Sequence, residues 1–118
     1  MIEKAKPNVL VDKSYQLALE IVKFVKRVQS EEKEYILTKQ LIRSGTAVGA
    51  LVAEAQQAES KADFIHKLAI ANKEAYESNY WLRLMKDSGI GESDQLFSLC
   101  QENQRLLVSI IKSARANK

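Results

Sequence analysis

Proline is almost missing from this sequence of 118 residues: the only one is Pro7, and there are just four glycines. Average usage is roughly 5% proline and 7% glycine, so turns are few and elements long, which excludes a β-sandwich, a barrel or a doubly wound α/β fold. Cys100 is the only cysteine, so there is no intrachain disulfide and nothing marks an oxidising compartment; a cytoplasmic location is expected. Long apolar runs are lacking too. The longest, residues 47–53, contains Gly49 and falls far short of the ~20 residues that span a bilayer. The opening Met-Ile-Glu-Lys-Ala-Lys-Pro has no apolar signal core, so a soluble, unexported protein with no membrane partner is expected. A glycine-rich phosphate loop, a Gly-x-Ser-x-Gly elbow and a Cys-x-x-Cys pair are all absent. No enzyme and no cofactor are therefore expected.

What remains is 46% hydrophobic and 28% charged, the balance of one globular domain. Its apolar residues recur at i, i+3, i+4 and i+7, the period of amphipathic helices. Four helices are predicted, over about 12–30, 34–58, 60–88 and 93–114. Asp12, Ser60 and Ser93 serve as N-caps and Gly89 as a C-terminal glycine. Short connections make an all-α, antiparallel up-down-up-down four-helix bundle the economical fold, a single domain over 1–118. Gly45 and Gly49, one turn apart inside the second helix, each cost about 0.5–1 kcal/mol relative to alanine. They are expected to mark close helix packing, in the bundle or in an oligomer. The third helix carries two stripes, one through Phe64, Leu68, Ala71, Ala75, Ser78, Leu82 and Met85, the other through Ile70, Glu77, Trp81 and Leu84. A bundle helix needs one, so a second packing partner is expected, which points to a homo-oligomer.

The run Lys39-Gln40-Leu41-Ile42-Arg43-Ser44-Gly45-Thr46-Ala47-Val48-Gly49-Ala50, followed by Ala53-Glu54-Ala55, Asp63-Phe64-Ile65-His66-Lys67-Leu68, Lys73-Glu74-Ala75, Glu77 and Tyr80-Trp81-Leu82, resembles the bacterial four-helix proteins of 23S rRNA intervening sequences, the S23 family. That family is similar in fold to the accessory variability determinant of diversity-generating retroelements. The resemblance implies a four-helix protomer, a ring-like homopentamer, an association with RNA or DNA, and, by analogy, a reverse transcriptase or other protein as partner. Leu51 stands where relatives commonly have Asn, and Ala55 where many have Gly, so a polar contact made by that Asn is not reproduced.

Several side chains are candidates for a site. Arg43, Glu54, Glu74 and Glu77 form either a ligand-binding polar cluster or an ion-pair network between helices or subunits, the latter because buried charges require partners. Trp81, with Tyr76 and Tyr80, is expected in core or interface packing rather than base stacking. His66 with Asp63 has the i, i+3 spacing of a di-iron half-site, but a single histidine cannot supply two such motifs, so no metal is expected. Cys100, among apolar neighbours, reads as an inert thiol. Lysine and arginine exceed aspartate and glutamate by 18 to 15, and the +3 excess comes chiefly from the first helix. Lys13, Lys23, Lys26 and Arg27 are therefore the candidate nucleic-acid contacts, a basic surface that an oligomeric ring would multiply. The competing reading is a protein-interaction module without nucleic-acid affinity.

Overall fold

The computed structural model describes residues 8–117 as four helices and no strand. They are α1 (Val9–Glu32), α2 (Leu37–Ala55), α3 (Lys61–Asp87) and α4 (Asp94–Ala116). Each packs on its sequence neighbours, α4 closes the ring against α1, and no diagonal pair meets among the described residues. The result is the expected antiparallel four-helix bundle, 50 × 24 × 21 Å. The α1/α4 seam is its least extensive contact.

Helix ends are set by side chains that satisfy orphan backbone N–H groups. Ser60 and Ser93 act as expected, their hydroxyls accepting from Asp63 N and Leu96 N, each at 3.0 Å. Asp63 completes a variant capping box one residue early. Its short side chain accepts from Glu59 N at 3.2 Å instead of reaching Ser60. After α3 the chain forms a Schellman turn: Ile90 N donates to Met85 O at 2.8 Å and Gly89 N to Lys86 O at 3.1 Å, with Gly89 at φ +73°. Gly91, at φ +58°, lies so close to α1 that a Cβ would meet Val28 Cγ2 at 2.6 Å.

Four boundaries correct the sequence reading. The N-cap of α1 is Asn8, whose side chain accepts from Val11 N at 3.1 Å; Asp12 lies inside the first turn, where its charge complements the dipole. The same helix runs on to Glu32, through residues expected to form the connection. Helix α2 begins at Leu37 and not at Glu34, because the Glu34 carboxylate accepts from the N–H groups of Ile36, Leu37 and Thr38 at 2.9–3.0 Å. Desolvation pulls the Glu34 carboxyl upward, but those donors together hold it below its ordinary range. At its other end α2 tightens after Ala55 into i→i+3 bonds, ending before residue 58.

The core is built from Leu17, Ile21, Val25 and Val28 of α1 against Leu41, Val48, Leu68, Met85, Cys100 and Leu107 of the other helices, with further small and branched residues between. Gly45 and Gly49 both face α1. A Cβ on Gly45 would collide with Ile21 Cδ1, and one on Gly49 would stand 3.0 Å from the backbone oxygen of Ser14. These glycines thus serve packing within the bundle. The polar half of the second α3 stripe is also engaged within the bundle, because Glu77 pairs with Arg43 of α2 and Trp81 bonds the same carboxylate along α3. A second stripe on α3 accordingly does not by itself require a second molecule.

Candidate functional site

Two seams gather the candidate residues. On the α2/α3 side, Arg43 reaches across to α3, where Nη1 lies 3.3 Å from Glu74 Oε1 and Nη2 pairs with Glu77 Oε2. The same Glu77 oxygen accepts from Trp81 Nε1 at 2.9 Å. Hydrogen bonding to Arg43 first, and then to Trp81, holds the Glu77 carboxyl below its ordinary value, and the guanidinium is raised in return. Beneath this clasp, Ser44 and Ser78 pair at 2.8 Å in the buried seam. Glu54 is exposed and makes no ion pair among the described residues, so the expected cluster holds three of its four charged members. The arrangement is a structural clasp between helices whose charges already satisfy one another.

Outside the clasp Tyr76 and Tyr80 stand away from the core, whereas Trp81 packs against its edge. Tyr76 is 57% exposed, Tyr80 50%, and Trp81 is half-buried with its ring edge-on to Tyr80, centroids 5.0 Å apart. Ile70 and Leu84 share the Trp81 face by helical spacing and are half-buried without packing against the core cluster.

On the other side, α1 and α4 part to form an open groove of about 920 Å³. Phe24, Leu96 and Leu99 are the apolar part of its lining. Of the candidate cations, Lys13, Lys23 and Arg27 line it, whereas Lys26 does not. Lys13 bridges to Glu102 of α4 at 3.2 Å, Lys23 pairs with Glu20 at 3.7 Å, and Arg27 lies 3.9 Å from Glu31 while its guanidinium sits 5.3 Å from the centre of the Phe24 ring. Arg105, from α4, joins them. Sequence reasoning missed it, since a lone arginine on the polar side of a helix gives no sign of which helix lies opposite. Charge is sparse overall. Lys4, Lys6 and Lys118, offset by Glu3, lie outside the described residues, leaving the helical body one net positive charge out of three.

The remaining candidates do not assemble into a reactive centre. His66 is exposed, and its neighbour Asp63 is engaged in capping and in a 3.3 Å ion pair with Lys67. No group of three or more metal-ligating side chains occurs among the described residues. Burial pushes the Cys100 thiol up to about 12, and its Sγ donates to Ala75 O at 3.3 Å. A thiol so held has little thiolate to offer as a nucleophile near neutral pH. Leu51 is half-buried against the core, in keeping with an apolar role at that position. No described helix is long and apolar enough to cross a membrane.

Comparison with known proteins fits this architecture. The model of the 23S rRNA-intervening sequence protein family matches residues 6–112, nearly the whole chain. The chain belongs to that family. A solved S23 ribosomal protein family member from Bacteroides thetaiotaomicron, itself described as of unknown function, is 44% identical, superposes with a TM-score of 0.84, and is matched over 87% of this chain and 98% of its own. No curated protein matches the sequence. Membership in the S23 family therefore brings the four-helix protomer with it and no assigned reaction.

Proposed function

We propose that this S23 family protein is a non-enzymatic helical scaffold that assembles with copies of itself, as a pentamer by the family resemblance, and holds a polyanion such as RNA or DNA. The observation that carries the assembly is the α3 face of Ile70, Tyr80, Trp81 and Leu84, whose apolar surface is left partly in water around the Arg43–Glu77 clasp. Aromatic side chains fixed by hydrogen bonds and ringed by polar groups are the usual anchors of protein interfaces. Light scattering tests it: a multiple of the 13.3 kDa chain is expected at micromolar concentration, and Leu84→Glu should reduce that mass while the helical circular dichroism persists. A wild-type species that is strictly monomeric there ends the proposal.

Support for the polyanion comes from the basic residues of α1, which assembly would repeat around a ring. A second reading, a protein-interaction module without nucleic-acid affinity, is favoured by the ion pairs that engage Lys13, Lys23 and Arg27 within the chain. Protein stripped of co-purifying nucleic acid separates the two. Retention of RNA or DNA at low salt that is lost steeply as salt rises supports the first, and no retention leaves the second.

A further inference from the structure

The charge in the α1/α4 groove is not evenly spent. Four cations (Lys13, Lys23, Arg27, Arg105) line it with three carboxylates (Glu20, Asp94, Glu102). Each carboxylate already has a partner. Glu102 takes Lys13, Glu20 takes Lys23, and Asp94 takes Lys86, which stands outside the groove, at 3.0 Å. Arg27 pairs only at 3.9 Å, with Glu31, also outside the groove, and the Phe24 ring supports its guanidinium. Arg105 makes no ion pair among the described residues. Two guanidiniums from two different helices thus border one groove, Arg27 held by a single long ion pair and Arg105 by none among the described residues. Guanidinium suits phosphate, since its planar fork donates two parallel hydrogen bonds and is only weakly hydrated.

Shape narrows the ligand further. Neighbouring helix axes in a bundle lie roughly 8–10 Å apart, so the trough between α1 and α4 accepts one backbone and not a duplex. From Lys13 to Arg27 it extends about 21 Å at 1.5 Å per residue, room for a linear chain of several phosphates. No aromatic face is open within it, because Phe24 is 6% exposed and already carries Arg27, so recognition falls to the phosphates rather than to stacked bases.

We propose that the α1/α4 groove is a track for a single phosphate backbone, with Arg27 and Arg105 as anchors and Lys26 outside it. This rests on the polyanion reading above and places it on specific residues. Fluorescence anisotropy tests it with a labelled single strand of about 12 nucleotides and the matching duplex at low salt. The single strand should bind more tightly than the duplex. Arg27→Ala and Arg105→Ala should each weaken it about three- to tenfold and reduce the salt slope by about 0.7, the loss of one single-strand phosphate contact. Lys26→Ala should change affinity less than about twofold, and Glu20→Gln, which removes a groove carboxylate, should tighten binding. Inorganic polyphosphate at equal phosphate concentration should displace the strand. Unchanged thermal midpoints for the two arginine variants exclude a folding cause.

A duplex bound as tightly as the strand, a Lys26→Ala loss equal to that of Arg105→Ala, or a strand that polyphosphate cannot displace each overturns the groove while leaving polyanion binding in place. Retention of neither strand nor duplex overturns both.

Discussion

The α2/α3 and α1/α4 seams both join antiparallel helices, yet they are finished differently. Across α2/α3, a buried hydroxyl pair and an arginine clasp follow one another from the core outward, and an indole hydrogen bond along α3 fixes the clasp's carboxylate. Across α1/α4 the described polar crossings are Asn103 Nδ2 to Lys13 O at 3.2 Å and Lys13 to Glu102, and beside them the groove stands open. One seam commits its polar groups to holding two helices together. The other leaves charge and space unspent. In a bundle with this few turns, the difference separates the surface that stabilises the protomer from the surface available to a ligand.

The sharpest way to break that comparison is a matched truncation in each seam. Leu41→Ala and Leu68→Ala, both at fully buried positions, should cost about 3–5 kcal/mol, because close-packed neighbours cannot collapse into the void. Leu96→Ala, beside the groove, should cost nearer 2 kcal/mol, since water already reaches the site. Urea unfolding reads all three, and a Leu96 penalty equal to the others would mean the seams are packed alike.

A smaller effect is expected from the hydroxyl pair. Ser44→Ala or Ser78→Ala alone should cost about 1 kcal/mol, each losing the mutual contact while the remaining hydroxyl keeps its own helix carbonyl, and the double variant should cost clearly less than the sum because that contact is lost only once. Strict additivity would show that the 2.8 Å contact contributes no coupling.

The smallest belongs to the clasp. Arg43 is half exposed, so Arg43→Ala should cost only about 0.2–1 kcal/mol in the protomer. Its pH dependence is the more telling readout. The Glu77 carboxyl is held below its ordinary 4.5, so its contribution is whole above that pH and drains away as pH falls through the lower folded value. Loss of Arg43 should flatten that acid limb of the stability profile. An unchanged limb would assign it to other carboxylates, Glu34 first among them.

Helix number, order and three of the termini were legible because they depend on local rules: apolar period, Ser60, Ser93 and Gly89. The start of α2 was not. Glu34 caps it with a carboxylate from outside the helix, and on a linear reading that residue looks like the helix's own first member. Gly45 and Gly49 announced a close approach, but only the tertiary arrangement identifies α1 as the helix that comes close. The clasp was legible as charges of opposite sign in the family-like segments of α2 and α3 that need partners, though Glu54, on the same α2 helix, falls outside it. Arg105 had no signal at all, since its meaning depends on α1 lying beside α4.

Three of the four seams join consecutive helices across a short connection. The fourth joins the two ends of the chain: Asn103 and the Lys13 carbonyl it bonds are 90 residues apart. Closing that seam therefore carries the largest loop-entropy cost in the molecule, and it has the least contact surface to offset it. The groove thus lies along the join that the chain closes at the greatest separation and holds with the least. Any ligand that bridges α1 and α4 would also act as a fastener for the bundle.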